Sequence, residues 1–213
     1  MIEETAIVRP GRPKDATKRE EIVAAATELF MENGYELTSM EAVARKANVS
    51  KLTIYSHFAD KSELFRAICQ YRCDKLGMPD SFAPESQWSP EEALTSIARR
   101  TSEKIFRTDS LRMMRMVQAE ATRHPEIVQT YYEVGPRRIK TAFADLLRIF
   151  DEKKLLTVPD PARAAEQFFS LLKGERLQRT LLFMTSAPDE NEMEAHIKAT
   201  VDMFLAAYHP HSK

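Results

Sequence analysis

Residues 38–61 read TSMEAVARKANVSKLTIYSHFADK, and this stretch decides the fold. Met40, Val43, Ala44 and Ala47 fall at i, i+3, i+4 and i+7, the spacing of a helix buried on one side. Thr38 with Glu41 reads as a capping box that satisfies the free N–H groups of the first turn. Asn48-Val49 then interrupts. Asn accepts the left-handed backbone that a tight turn requires. Ser50 is placed to cap a second short helix, with Ile54 and Phe58 as its apolar residues. Lys51, Thr53, Tyr55, Ser56 and His57 are left facing outward, and no acid lies between Ser50 and Ala59. Two helices joined by so short a turn form a helix-turn-helix, whose second helix fits a DNA major groove. From these residues alone, an ordinary αα-hairpin with a polar face stays equally open.

Working outward, Ile22, Ala25, Ala26, Leu29 and Phe30 make the stripe of a preceding helix that starts near Asp15–Thr17, with Thr17 and Glu20 as a capping box and Gly34 as terminator. Ahead of it, Arg9-Pro10-Gly11-Arg12-Pro13-Lys14 cannot be helical. As a basic arm it suits Arg12 to a DNA minor groove. Asp60 caps a fourth helix, about 61–76, with Leu64, Phe65 and Ile68 inward. The residues Gly77 to Trp88, rich in Pro and small polar groups, form the main break in the chain.

From Gly11 to Ala67 the chain resembles the DNA-binding domain of the TetR family of transcriptional regulators. The resemblance rests on Leu29-Phe30-x-x-x-Gly34-Tyr35, Thr38-Ser39-Met40, Val43-Ala44, Val49-Ser50-Lys51, Thr53-Ile54-Tyr55-x-His57-Phe58, Lys61 and Leu64-Phe65. Asn48 and Leu52 depart from the family pattern, which has Gly and a small residue there. The resemblance implies base-edge contacts from Lys51, Leu52, Tyr55 and Ser56. It implies phosphate or backbone contacts from Thr38, Ser50, Thr53, Tyr55, His57 and Lys61. The partner is then double-stranded DNA, at a roughly palindromic operator.

The chain has 213 residues and a formal net charge of −1, so any affinity for DNA must come from local charge rather than the whole. Only five residues are Gly, and Ala, Leu, Glu, Arg and Met abound, which favours helix. No apolar run approaches the roughly 20 residues of a membrane span, and no secretory h-region opens the chain. A cytoplasmic location without membrane contact is expected. Cys69 and Cys73 lie i, i+4 on one helix face and read as small buried thiols or, alternatively, a redox pair. No metal set or cofactor motif is present in the sequence.

The second half reads as helix throughout. Ser89-Pro90-Glu91-Glu92 opens one helix, and others follow over 110–124, 126–154 with a kink at Gly135-Pro136, 162–183 and 188–208. Large adaptable side chains at Phe106, Met113, Met116, Tyr131, Tyr132 and Phe143 suit an apolar pocket. Val117, Glu120 and Phe169 complete the expected lining. Around Ala119-Glu120-Ala121, Pro125-Glu126, Tyr132-Glu133-x-Gly135-Pro136 and Ala165-Glu166-Gln167-Phe168 the second half resembles the efflux-regulator subtype of the family. That resemblance implies a small-molecule effector there, and a homodimer built from the helices at 162–183 and 188–208.

The expected architecture is therefore all-α. A three-helix helix-turn-helix domain with its arm and linking helix (1–76) precedes a helical ligand-binding and dimerisation domain (77–213). The expected function is a dimeric repressor released by a largely apolar or aromatic ligand, and not an enzyme. A helical enzyme or a ligand-binding adaptor independent of DNA is the competing reading. It lacks a Gly-rich phosphate loop, H-E-x-x-H or nucleophile motif.

Overall fold

A computed structural model describes residues 14–77, 82 and 88–209. The expected minor-groove arm with Arg12 lies outside the described residues. All regular structure among the described residues is helical. The chain divides into two compact units, Met1–Ile68 and Cys69–Lys213. That division falls within the fourth helix, ahead of the break at Gly77.

In the first unit, α1 (Lys14–Asn33) buries Ile22, Val23, Ala26 and Phe30. It begins ahead of the expected cap, so Thr17 lies inside the helix. Gly34 ends it at φ 83 while donating its N–H to Phe30 O (3.0 Å). That conformation is open to Gly without the Cβ penalty. Phe30 stacks on Tyr35 (5.4 Å) and Phe65 meets both rings edge-on, which closes a small aromatic core.

The second helix, α2 (Met40–Lys46), is capped by Ser39, whose Oγ accepts from Ala42 N. This corrects the expected Thr38 cap. Thr38 is only 2% exposed, and its hydroxyl donates toward Leu29 O and Gly34 O (3.2 and 2.8 Å). Two adjacent hydroxyls can each cap, and burial assigned one of them to the core. Asn48 closes α2 at φ 52, with Asn48 N–H donating to Arg45 O and Val49 N–H to Ala44 O. That is the Schellman pattern, in which the left-handed residue and the one after it each satisfy a terminal carbonyl. Ser50 then caps α3 (Lys51–His57), accepting from Thr53 N at 3.0 Å. Asp60 caps α4 (Lys61–Lys75) by accepting from Glu63 N.

The second unit holds the end of α4, then α5 (Pro90–Ile105), α6 (Thr108–Glu120) and α7 (Pro125–Tyr132). A π-helical turn follows (Glu133–Arg137), then α8 (Arg138–Glu152), α9 (Pro161–Leu181) and α10 (Glu190–Tyr208). The expected Ser89 capping box is present, with Pro90 in the first turn. Pro136 supplies no N–H, and the helix absorbs it by slipping into the wider π register. The last helix starts later than Pro188, because Asp189 and Glu192 form the capping box. α9 is not the smooth helix expected: Gly174 breaks it at φ 53, ψ −169.

The core of this unit is a ring cluster. Phe143 stacks on Phe168 (4.6 Å), and Phe169 and Phe204 pack edge-on or tilted around them. Arg99 of α5 forms a bidentate pair with Glu194 of α10, both bonds 2.7 Å.

Candidate functional site

Two surfaces carry chemistry, one in each unit. On the first, the short apolar spacing of α3 turns Ile54 and Phe58 into the core and the rest of the helix outward. Lys51 and Ser56 are exposed, Leu52 is 82% exposed and Tyr55 41%. Thr53 and His57 are half-buried. Leu52 therefore does not pack inward, and it leaves an apolar tip on the outer face of α3.

Several of these groups already have partners. Lys51 Nζ lies 2.7 Å from Glu41 Oε1 of α2. That pairing raises the lysine pKa and lowers the carboxylate's, so both stay charged near neutrality. Ser50 Oγ is 2.8 Å from Thr53 Oγ1, and Ser56 Oγ donates to Thr53 O. Lys61 Nζ donates to Tyr35 O and Glu36 O (2.9 and 3.2 Å) and sits over the Tyr35 ring at 4.5 Å. It thus pins the α1–α2 loop from the first turn of α4. Thr38 is the exception among the expected contacts, because its buried hydroxyl is committed inside the unit. The exposed hydroxyl beside it is that of Ser39.

In the second unit a cavity of about 240 Å³ opens among α4–α9. Of the expected lining, Met113, Tyr131 and Phe169 are on its wall, as is Met114. The others are elsewhere. Phe143 is consumed by the ring cluster and Met116, Val117 and Glu120 are buried outside the lining. The α6 wall thus stops after Met114. Tyr132 is 39% exposed and accepts from Lys140 Nζ at 2.9 Å. Phe106 borders two other hollows, one of them with Arg115 and Phe183.

The wall also contains residues that aromatic and Met content did not flag. Cys69, Arg72, Cys73 and Leu76 come from the second half of α4 and the residue following it. Thr101 and Lys104 come from α5, Lys140 from α8 and Lys173 from α9. The i, i+4 spacing of the cysteines was the readable signal for the α4 face. Neither cysteine is in a disulfide, and both are buried. Cys73 donates to Val134 O at 3.6 Å, and burial pushes its pKa up, so it rests as a neutral thiol. Burial pushes the Tyr131 phenol up to about 12. Among the described residues no cluster of His, Cys, Asp and Glu is fit to hold a metal, and no helix is long and apolar enough to cross a membrane.

A capped helix pair with a polar second helix, followed by a helical unit enclosing an apolar cavity, defines a helix-turn-helix regulator with an effector domain. Residues 22–68 match the family model for bacterial regulatory proteins of the tetR family. Residues 92–210 match the C-terminal domain of AefR-like transcriptional repressors. A TetR-family regulator structure from Mesorhizobium loti is 30% identical, covering 92% of this chain and 99% of that one, with a TM-score of 0.80. The flavonoid-responsive regulator FrrA is 31% identical over 92% of this chain and all of its own, also with a TM-score of 0.80. The transcriptional activator FasR of Mycolicibacterium smegmatis is 39% identical over 64 residues, 30% of this chain and 29% of FasR. The chain belongs to the TetR family of transcriptional regulators. It is a DNA-binding transcriptional regulator.

Proposed function

We propose that the protein is a homodimeric repressor acting in the cytoplasm, which leaves a roughly palindromic operator when a small molecule fills the α4–α9 cavity. The observation that carries this reading is the composition of α4. Its first turn bears Lys61, and its second half supplies Cys69, Arg72 and Cys73 to the cavity wall. A ligand that favours one placement of those wall residues biases the helix on which Lys61 is built. It can do so only through different affinity for the two states. Lys51, Leu52, Tyr55 and Ser56 read base edges, and Ser50, Thr53, His57 and Lys61 hold the backbone.

Repression rather than activation is supported by the AefR-like repressor match, which spans most of the second unit. The match to the activator FasR covers 64 residues. Response to a small molecule is supported by FrrA, a flavonoid-responsive regulator that aligns over its whole length. Dimerisation through α9 and α10 is supported by exposed Leu171, Leu182, Phe183 and Met203, apolar groups that a twofold mate would cover.

Selection of the purified protein against random double-stranded DNA tests the reading. Recovery of one palindromic site, with affinity falling steeply in salt, is expected. Folded dimer that enriches no site at low salt overturns it.

A further inference from the structure

Among the described residues, every charged side chain on the α4–α9 cavity wall is a cation: Arg72, Arg100, Lys104, Lys140 and Lys173. The rest of that wall is chiefly apolar, including Met113, Met114, Ile139, Phe169 and Leu177. Counter-charge is supplied unevenly. Arg72 pairs with Asp109 at 3.4 Å, outside the lining. Lys104 donates to the neutral carbonyl of Gly77, with Glu103 as its neighbouring acid. Lys140 donates to the neutral Tyr132 hydroxyl at 2.9 Å and reaches Glu166 at 3.6 Å, a carboxylate that is 65% exposed and screened by solvent.

Lys173 stands apart. It is half-buried, and among the described residues no carboxylate pairs with it. The charge that acts on it is Lys140, another cation. Burial and that repulsion both lower the Lys173 pKa, and burial followed by Arg100 lowers that of Lys104. Desolvated ammonium groups of like charge are costly unless an anion neutralises them. An aliphatic or aromatic wall excludes water from such a contact and strengthens it.

We infer that this cavity takes an organic anion, its apolar body against Met113, Met114 and Phe169 and its charged group between Lys140 and Lys173. The inference rests on the reading of this cavity as the effector site, and it names the effector's chemical class. A cationic or purely neutral effector would leave Lys173 desolvated beside Lys140.

The test uses the full-length protein without DNA, with N-phenyl-1-naphthylamine as a neutral fluorescent reporter. Decanoate, decanol and decyltrimethylammonium share one chain and differ in head-group charge. Decanoate is expected to displace the reporter at about tenfold lower concentration than either of the others, as one charge-assisted hydrogen bond implies. Lys173→Met should remove most of that advantage, read as the ratio of the decanoate to the decanol concentration that displaces the reporter from the variant. Should that variant fold poorly, Lys140→Gln and the wild-type head-group series carry the same comparison. Equal displacement by decanol, better displacement by the ammonium, or displacement by none of the three overturns the anion assignment. So does a decanoate advantage that survives both substitutions. The same compounds are then added to the protein on its selected operator. Decanoate binding without release would leave the anion site standing and sink the induction reading. Release by neutral compounds with no anion preference would do the reverse.

Discussion

Lys51 of α3 and Glu41 of α2 form an ion pair of 2.7 Å across the outer face of the helix-turn-helix. On the proposed interface this pair would compete with a phosphate or base for the lysine. The folded Glu41 pKa is lowered and that of Lys51 raised. The carboxylate's contribution is therefore present above its unfolded pKa and lost as pH falls through the folded one. The lysine's is present below its unfolded pKa and lost as pH rises through the folded one. Across the neutral range the pair is fully charged. Because both groups are solvent-exposed, its effect on stability is small. Glu41→Gln is expected to leave the melting temperature unchanged and to tighten operator binding several-fold at low salt. Lys51→Ala is expected to relax sequence preference in a repeated selection. Unchanged affinity in the first variant, measured by fluorescence anisotropy, would mean that Lys51 is not recruited by DNA.

On the proposed reading Lys61 has two roles, which two measurements on one substitution separate. Its ammonium holds the carbonyls of Tyr35 and Glu36 and lies over the Tyr35 ring. Lys61→Ala should cost about 1 kcal/mol of stability through those bonds. On the proposed interface it should also weaken binding to all DNA sequences and flatten the log–log salt dependence by about one unit. A salt slope equal to the wild type, with the stability loss intact, would confine Lys61 to pinning the loop.

Asn48 stands where the family pattern has glycine, and it holds a left-handed backbone. Its φ of 52 completes the Schellman pattern that ends α2. Asn48→Gly should be neutral or mildly stabilising. Asn48→Val should cost about 1–2 kcal/mol, since a β-branched residue resists the left-handed region. Urea denaturation of the two variants gives the comparison. Equal midpoints would show that this turn does not hold the left-handed form.

The first unit was legible because its signals are local. The caps at Ser50 and Asp60, the terminators Gly34 and Asn48, and the inward pair Ile54 and Phe58 each act within about one helical turn. The Thr38–Ser39 exchange escaped because either hydroxyl satisfies a cap, and only burial in the aromatic core distinguishes them. The cavity was harder for a related reason. Aromatic and Met residues favour any apolar enclosure, so Phe143 went to the ring cluster while Phe169, on the neighbouring helix, faces both. No local pattern in the sequence marks the cations of the wall. Lys104 and Lys173 become significant only once tertiary packing brings α5 and α9 to the same cavity.

Gly174 offers the contrast to Asn48. Its φ of 53 looks similar, but its ψ of −169 belongs to a region essentially reserved for glycine. Beside the break in α9, His196 of α10 places Nε2 3.1 Å from the carbonyl oxygens of both Leu171 and Leu172. Carbonyl oxygens only accept, so Nε2 carries the proton and donates. A Cβ on Gly174 would meet the His196 ring at 3.7 Å, an ordinary contact, so space is not the obstacle. Gly174→Ala and Gly174→Asn should therefore both lose about 1–3 kcal/mol, with no rescue by Asn of the kind seen at position 48. His196→Ala should lose about 1 kcal/mol alone, and less when added to Gly174→Ala if that variant straightens α9 and reclaims the carbonyls. A double-mutant cycle by urea unfolding reads this coupling. Strict additivity would mean that the kink and the histidine contact are independent, and full tolerance of Gly174→Asn would mean that α9 is not broken there.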